Sequence, residues 1–200
     1  MEKISTLNRI ILLITGHFAG YEILKGIEGM DFWPMLYFTI AFGVLILSCL
    51  LLILFGFDIL KNTAVVVVAA LIPLSMSLAI ITLYLPQYHY AYLTLALIGL
   101  SGIQLTRMFS SGKLPIIWLA ITHGIAGLVI FILPLWLSLS GVTAPSFALV
   151  GIGGAVVGLA GLLLAVLKAG ADFIPEEKVI QLFPLLLLLS TALFVFGLNS

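Results

Sequence analysis

Few side chains in this sequence can do chemistry, and two of them are the histidines His17 and His123. Each lies well inside a long apolar stretch. A neutral imidazole nitrogen can ligate a haem iron or a metal, or hold a quinone or pigment. A glycine shares the helical face of each ring, Gly20 beside His17 and Gly127 beside His123, and small residues let a flat cofactor approach closely. If both stretches cross a bilayer in the same direction, the two rings lie at similar depth. The expectation is then haem b or another hydrophobic cofactor held between His17 and His123. The plainer role for either ring is a hydrogen bond to a carbonyl, or to Thr15 or Thr122.

Glu22 is the one acidic residue clearly inside an apolar stretch, where ionisable groups are costly and usually functional. It is read as a proton or ion site. Lys25 follows at helical spacing, so an ion pair that reaches outward to the interface is the competing role. Gln104 and Arg107 share a face near the end of a later stretch and are expected to contact an anionic lipid headgroup or a partner. Ser101 falls in Gly99-Leu100-Ser101-Gly102, a spacing used around serine nucleophiles. A nucleophile needs a base within hydrogen-bond reach, and His123 is the only nearby candidate. No enzyme is expected.

Gly151, Gly153, Gly154, Gly158 and Gly161 crowd one stretch. Gly154 and Gly158 have small-x-x-x-small spacing, so Gly151, Gly154 and Gly158 are assigned to close helix packing. A phosphate-cradling role for such glycines would need a preceding strand. Cys49 is the only cysteine, which excludes an internal disulfide and a cysteine-based metal cluster. No metal site is expected.

The elements that must position these residues follow from composition. Hydrophobic residues make up 63% of the chain, charged residues 8%, and the mean hydropathy is +1.34. A soluble domain is roughly 45–50% apolar and about 25% charged, and its outer surface must face water. Lipid is the solvent that suits this chain. The net charge of zero gives no sign of a nucleic-acid partner.

A helix needs about 20 apolar residues to cross the hydrocarbon core. Stretches at 7–27, 33–57, 63–85, 90–109, 114–139, 146–168 and 178–198 qualify, so the expected fold class is an all-α integral membrane protein of seven transmembrane helices. Backbone polar groups in lipid must be satisfied internally, which selects helices over open strands. Gly16 to Gly20 match a signal-peptide cleavage site poorly, so the first stretch is read as a span. The breaks carry turn and charge signals: Glu28 to Asp31 with Pro34, Asp58 to Asn62, Pro86-Gln87, Ser110 to Lys113, Ser140-Gly141 with Pro145, and Asp172 to Lys178. Pro73 and Pro184 lie inside spans and are expected to kink them.

Orientation follows from the basic residues. With the N-terminus cytoplasmic and the C-terminus outside, Lys3, Arg9, Lys61, Arg107, Lys113, Lys168 and Lys178 lie inside and only Lys25 outside. That agrees with the positive-inside rule. Trp33, Tyr37, Tyr84, Tyr88, Tyr90 and Tyr92 would form an aromatic belt at the outer boundary. A retinal Schiff base is excluded because the last span has no lysine beyond Lys178 at its start.

Residues 7–24 and 114–131 align, with Thr15/Thr122, Ala19/Ala126 and Gly20/Gly127 the most informative matches. Leu71-x-Pro73-Leu74 recurs as Leu182-x-Pro184-Leu185. These matches predict two parallel three-helix repeats, 1–86 and 113–200, joined by the fourth helix within one membrane domain spanning 1–200. Parallel repeats about an axis along the membrane normal occur in one class of small transporters.

The functional expectation is an accessory or cofactor-holding subunit (haem, quinone or pigment) of a larger membrane complex. Its partners are the lipid bilayer with other membrane subunits or further copies of itself, and its location is the cytoplasmic membrane, multi-pass. The alternative is a small transporter or channel built from the two repeats. Spans this poor in polar groups disfavour a hydrophilic cargo.

Overall fold

A computed structural model describes residues 4–26, 29–110, 112–168 and 176–199. Lys3, Glu28, Ser111 and Asp172, which mark a basic end and three of the breaks, lie outside the described residues. The described residues are helical, with no strands among them.

Helix α1 (Thr6–Tyr21) starts at Ser5, whose hydroxyl accepts from the Asn8 amide. It runs into a wide π turn, Glu22–Gly26. Helix α2 (Phe32–Phe55) ends at Gly56, where a φ of 75° admits glycine far more readily than other residues. Helix α3 (Thr63–Ala69) is capped by Asn62, which accepts from the Ala64 and Val65 amides. Helix α4 (Leu71–Tyr84) follows after a one-residue break at Ala70. Pro73 explains the break. It has no N–H for the Ala69 carbonyl and its ring crowds that turn, and the next bond, Leu74 to Ala70, is stretched to 3.4 Å. The remaining helices are α5 (His89–Phe109), α6 (Leu114–Leu139), α7 (Ala148–Lys168) and α8 (Glu176–Leu198). Pro184, and Pro134, which the sequence analysis passed over, sit inside unbroken helices.

Among the described residues, five segments are long and apolar enough to cross a membrane: Phe32–Phe55, Thr63–Tyr84, Pro86–Phe109, Leu114–Leu139 and Gln181–Leu198. Their outward faces are largely apolar too. On α6 alone, Ile117, Ile121, Leu128, Ile132 and Trp136 are exposed. A surface of that kind is stable against acyl chains and not against water. The protein is a multi-pass helical membrane protein in contact with the bilayer.

The packing order is simple. Helix α1 packs on α2, α2 on α4, α4 on α6, α6 on α7, α7 on α8, and α8 back on α1. Six helices thus form a closed circuit. Helix α5 lies outside it, against α4 and α6, with α3 also touching it. Leu12, Phe38, Phe42, Met76, Ile80 and Val150 are buried from four helices of the circuit, so its middle holds packed side chains.

Candidate functional site

Helix α1 buries a single stripe of Asn8, Leu12, Thr15 and Ala19. The spacing of four, three and four continues to Glu22 at the first π-turn position. Glu22 is 0% exposed. It therefore lies beneath the surface. Its Oε2 accepts a hydrogen bond of 2.6 Å from Asn199 Nδ2, just past the end of α8. The same amide nitrogen donates to the Val195 carbonyl at 2.8 Å. Glu22 Oε1 is buried with no hydrogen-bond partner. Lys25, on the same turn, is exposed.

The two histidines are not assembled together. His17 is exposed on α1, which packs on α2 and α8, while His123 is half-buried on α6, which packs on α4, α5 and α7. Bis-histidine ligation by these two side chains finds no shared interface. His123 is brought instead toward Arg107, which lies close enough to act on it electrostatically. His123 Nδ1 is buried beside the Leu119 carbonyl, outside good hydrogen-bond geometry, and Arg107 Nε is also buried without a partner. Gln104 is exposed while Arg107 is half-buried, so the shared face splits between the outside and the α5–α6 interface. Two unfilled nitrogens on facing helices suit a ligand with acceptor oxygens.

The glycine pattern around Ser101 has a packing explanation. Trp118 Nε1 donates to the Gly99 carbonyl at 3.0 Å. A Cβ on Gly102 would overlap the Trp118 ring, and one on Gly99 would sit 2.6 Å from Thr122. The two glycines seat α6 against α5. Ser101 itself faces outward with Thr94, beside a groove of about 440 Å³ also lined by Leu97, Ile98, Gly102 and Trp118. On α7, a Cβ at Gly151 would come within 2.7 Å of Leu135 and the Phe131 carbonyl, and one at Gly154 within 2.8 Å of Ile130. At Gly158 a Cβ would meet nothing within 4 Å. Gly153 and Gly197 form the close approach between α7 and α8.

The third histidine, His89, escaped the sequence analysis. It is 6% exposed where α2, α4 and α5 meet. Thr82 Oγ1 gives its one hydrogen to the Leu78 carbonyl at 2.7 Å, so it accepts from His89 Nδ1 at 3.1 Å. That leaves Nε2 to accept from the Tyr37 hydroxyl at 3.3 Å. Trp33 and Tyr90 pack edge-on to the ring. Both ring nitrogens are thereby satisfied, which marks a structural histidine. Tyr37 is buried by this contact, and Tyr92 donates to Ser77 at 2.9 Å. Of the expected belt, Trp33, Tyr88 and Tyr90 are exposed. The signal available was the neighbouring Tyr88 and Tyr90; the partner that completes the cluster, Tyr37, lies far away in sequence.

Among the described residues, no group of three or more histidine, cysteine or carboxylate side chains could hold a metal ion. Comparison with protein-family models, with curated proteins and with solved structures finds no match to this chain.

Proposed function

We propose that this protein is an accessory subunit of a membrane complex and docks its partner through the outward face of α5. The observation that carries the proposal is the groove on that face. Helix α5 stands outside the closed circuit, and it turns Thr94, Ser101 and Gln104 outward among apolar residues. Polar groups facing acyl chains are costly, while small and hydroxyl side chains are favoured where membrane helices meet. A transmembrane helix of a partner subunit fits that groove, with the Trp118 ring along one side. The spans number seven in this reading, with the N-terminus cytoplasmic and the C-terminus outside, on the basic-residue asymmetry described above. Purification in mild detergent tests the docking. The wild type should migrate with a second membrane protein, and Ser101→Trp should lose it while keeping its own helical content. A wild type that runs alone, or a Ser101→Trp variant that keeps its partner, overturns it.

Any cofactor held by such a subunit would be of the quinone class rather than haem. The support is the pair of unfilled nitrogens on His123 and Arg107, which suit carbonyl oxygens, and the separation of His17 from His123. Protein from native membranes should then show no haem absorption in the visible, and a haem band would contradict this assignment.

A specific observation favours a second reading, a small transporter of two parallel repeats. With α1, α2 and α4 matched to α6, α7 and α8, every neighbour pair in the circuit maps onto another neighbour pair: α1–α2 onto α6–α7, α2–α4 onto α7–α8, and α1–α8 onto α6–α4. Thr15 and Thr122 are both buried, as are Ala19 and Ala126. Uptake of a labelled hydrophobic solute into vesicles holding the purified chain alone would favour this reading over a subunit.

A further inference from the structure

We propose that Glu22 and Asn199 form a monovalent-cation site where the C-termini of α1 and α8 meet. An ionised carboxylate offers two acceptor oxygens, and only Oε2 is used, by Asn199. Moving a proton onto Oε1 does not by itself complete the set, because Oε1 would then be a donor in need of an acceptor of its own. In either protonation state one more group is needed beside Oε1.

The local electrostatics say which group. Helix α1 gives way to the π turn at Glu22, and α8 ends at Leu198. Each helix presents its carbonyl end, equivalent to a partial negative charge. The carboxylate adds to both, and its one hydrogen-bond donor, Asn199, is a neutral amide. The N-terminus of α2 at the same end has its own carboxylate, Asp31, as N-cap. Lys25, on the same turn, is exposed, and a small cation beside Oε1 complements the buried carboxylate from within. One carboxylate with amide and carbonyl oxygens suits a single positive charge, since calcium sites gather several carboxylates. The π turn widens the backbone at the residue that carries the carboxyl, as π-bulges often do at functional positions. Asn199 is itself exposed, so the carboxyl lies one side chain below the surface.

The site is independent of the docking proposed for α5. It ties α1 to α8, and the cation would strengthen that contact. The test is thermal unfolding of the full chain in nanodiscs, in sodium or potassium chloride against N-methylglucamine chloride at matched ionic strength. One of the small cations should raise the midpoint saturably, by roughly 5–10 °C at a hundredfold excess over its dissociation constant. Glu22→Gln, which keeps an oxygen for Asn199, should abolish the rise. Asn199→Ala should move the half-saturating concentration upward about tenfold, and gives the same answer if Glu22→Gln does not fold. Equal midpoints in all three salts for the wild type would mean that water or another neutral group fills the position, and would overturn the proposal. A rise that persists unchanged in either variant would overturn it as well.

Discussion

Alanine placed at two glycines of α7 should have opposite effects, and the contrast isolates helix packing from helix propensity. At Gly151 the new Cβ lies 2.7 Å from the Phe131 carbonyl oxygen and 2.7 Å from Leu135 Cγ. Ordinary contact begins at 3.4 Å. The oxygen is backbone, so it cannot rotate away, and α6 and α7 must separate by several tenths of an ångström. Overpacking of this kind costs about 1–3 kcal/mol. At Gly158 the Cβ meets nothing within 4 Å. There alanine brings only its helix preference, about 1 kcal/mol over glycine. That preference is common to both variants, so the difference between them is the overpacking cost itself. For a chain of this size each kcal/mol moves the unfolding midpoint by about 2–4 °C. Gly151→Ala should therefore unfold roughly 2–12 °C below Gly158→Ala, followed by circular dichroism in one detergent. Equal midpoints, or Gly158→Ala the lower, would refute the assignment of Gly151 to the α6–α7 contact.

Two further expectations rest on other parts of the fold. Tyr37→Phe removes the hydroxyl that donates to His89 Nε2 and leaves a buried acceptor unpaired; a loss of about 1–2 kcal/mol is expected in the same assay, and an unchanged midpoint would remove His89 from the structural framework. In a Cys49→Ala background, Gln87→Cys should react with an impermeant maleimide added to intact cells, and Gly112→Cys only after permeabilisation. The reverse pattern would invert the orientation.

Much of the architecture was legible in the sequence because hydropathy reports on lipid contact span by span. The stretch 114–139 is bounded as α6 is, since Lys113 with Pro115 and Ser140-Gly141 are sharp local signals. Hydropathy alone extends the first span as one helix to residue 27, but the α-helix gives way at Tyr21 to the π turn. The break before α4 was legible at Pro73, whereas the same residue type at Pro184 leaves α8 continuous. What could not be read was which helices are neighbours. His17 and His123 match in depth, but depth says nothing of lateral position, and α1 and α6 pack on different partners. Glu22 was judged by its neighbour Lys25, although the buried stripe from Asn8 to Ala19 already pointed it inward. Its partner Asn199 comes from the other end of the chain, beyond the reach of any local pattern. Glycine spacing flagged α7 as a packing helix without saying which glycines touch a neighbour, and Gly158 does not.

The most direct test of the docking role is photo-crosslinking in native membranes. A photoreactive residue at Ser101, in the α5 groove, is compared with one at Leu13, exposed on α1. The account predicts a discrete adduct with a second membrane protein from position 101 and none from position 13. Lipid adducts alone from both positions would contradict it.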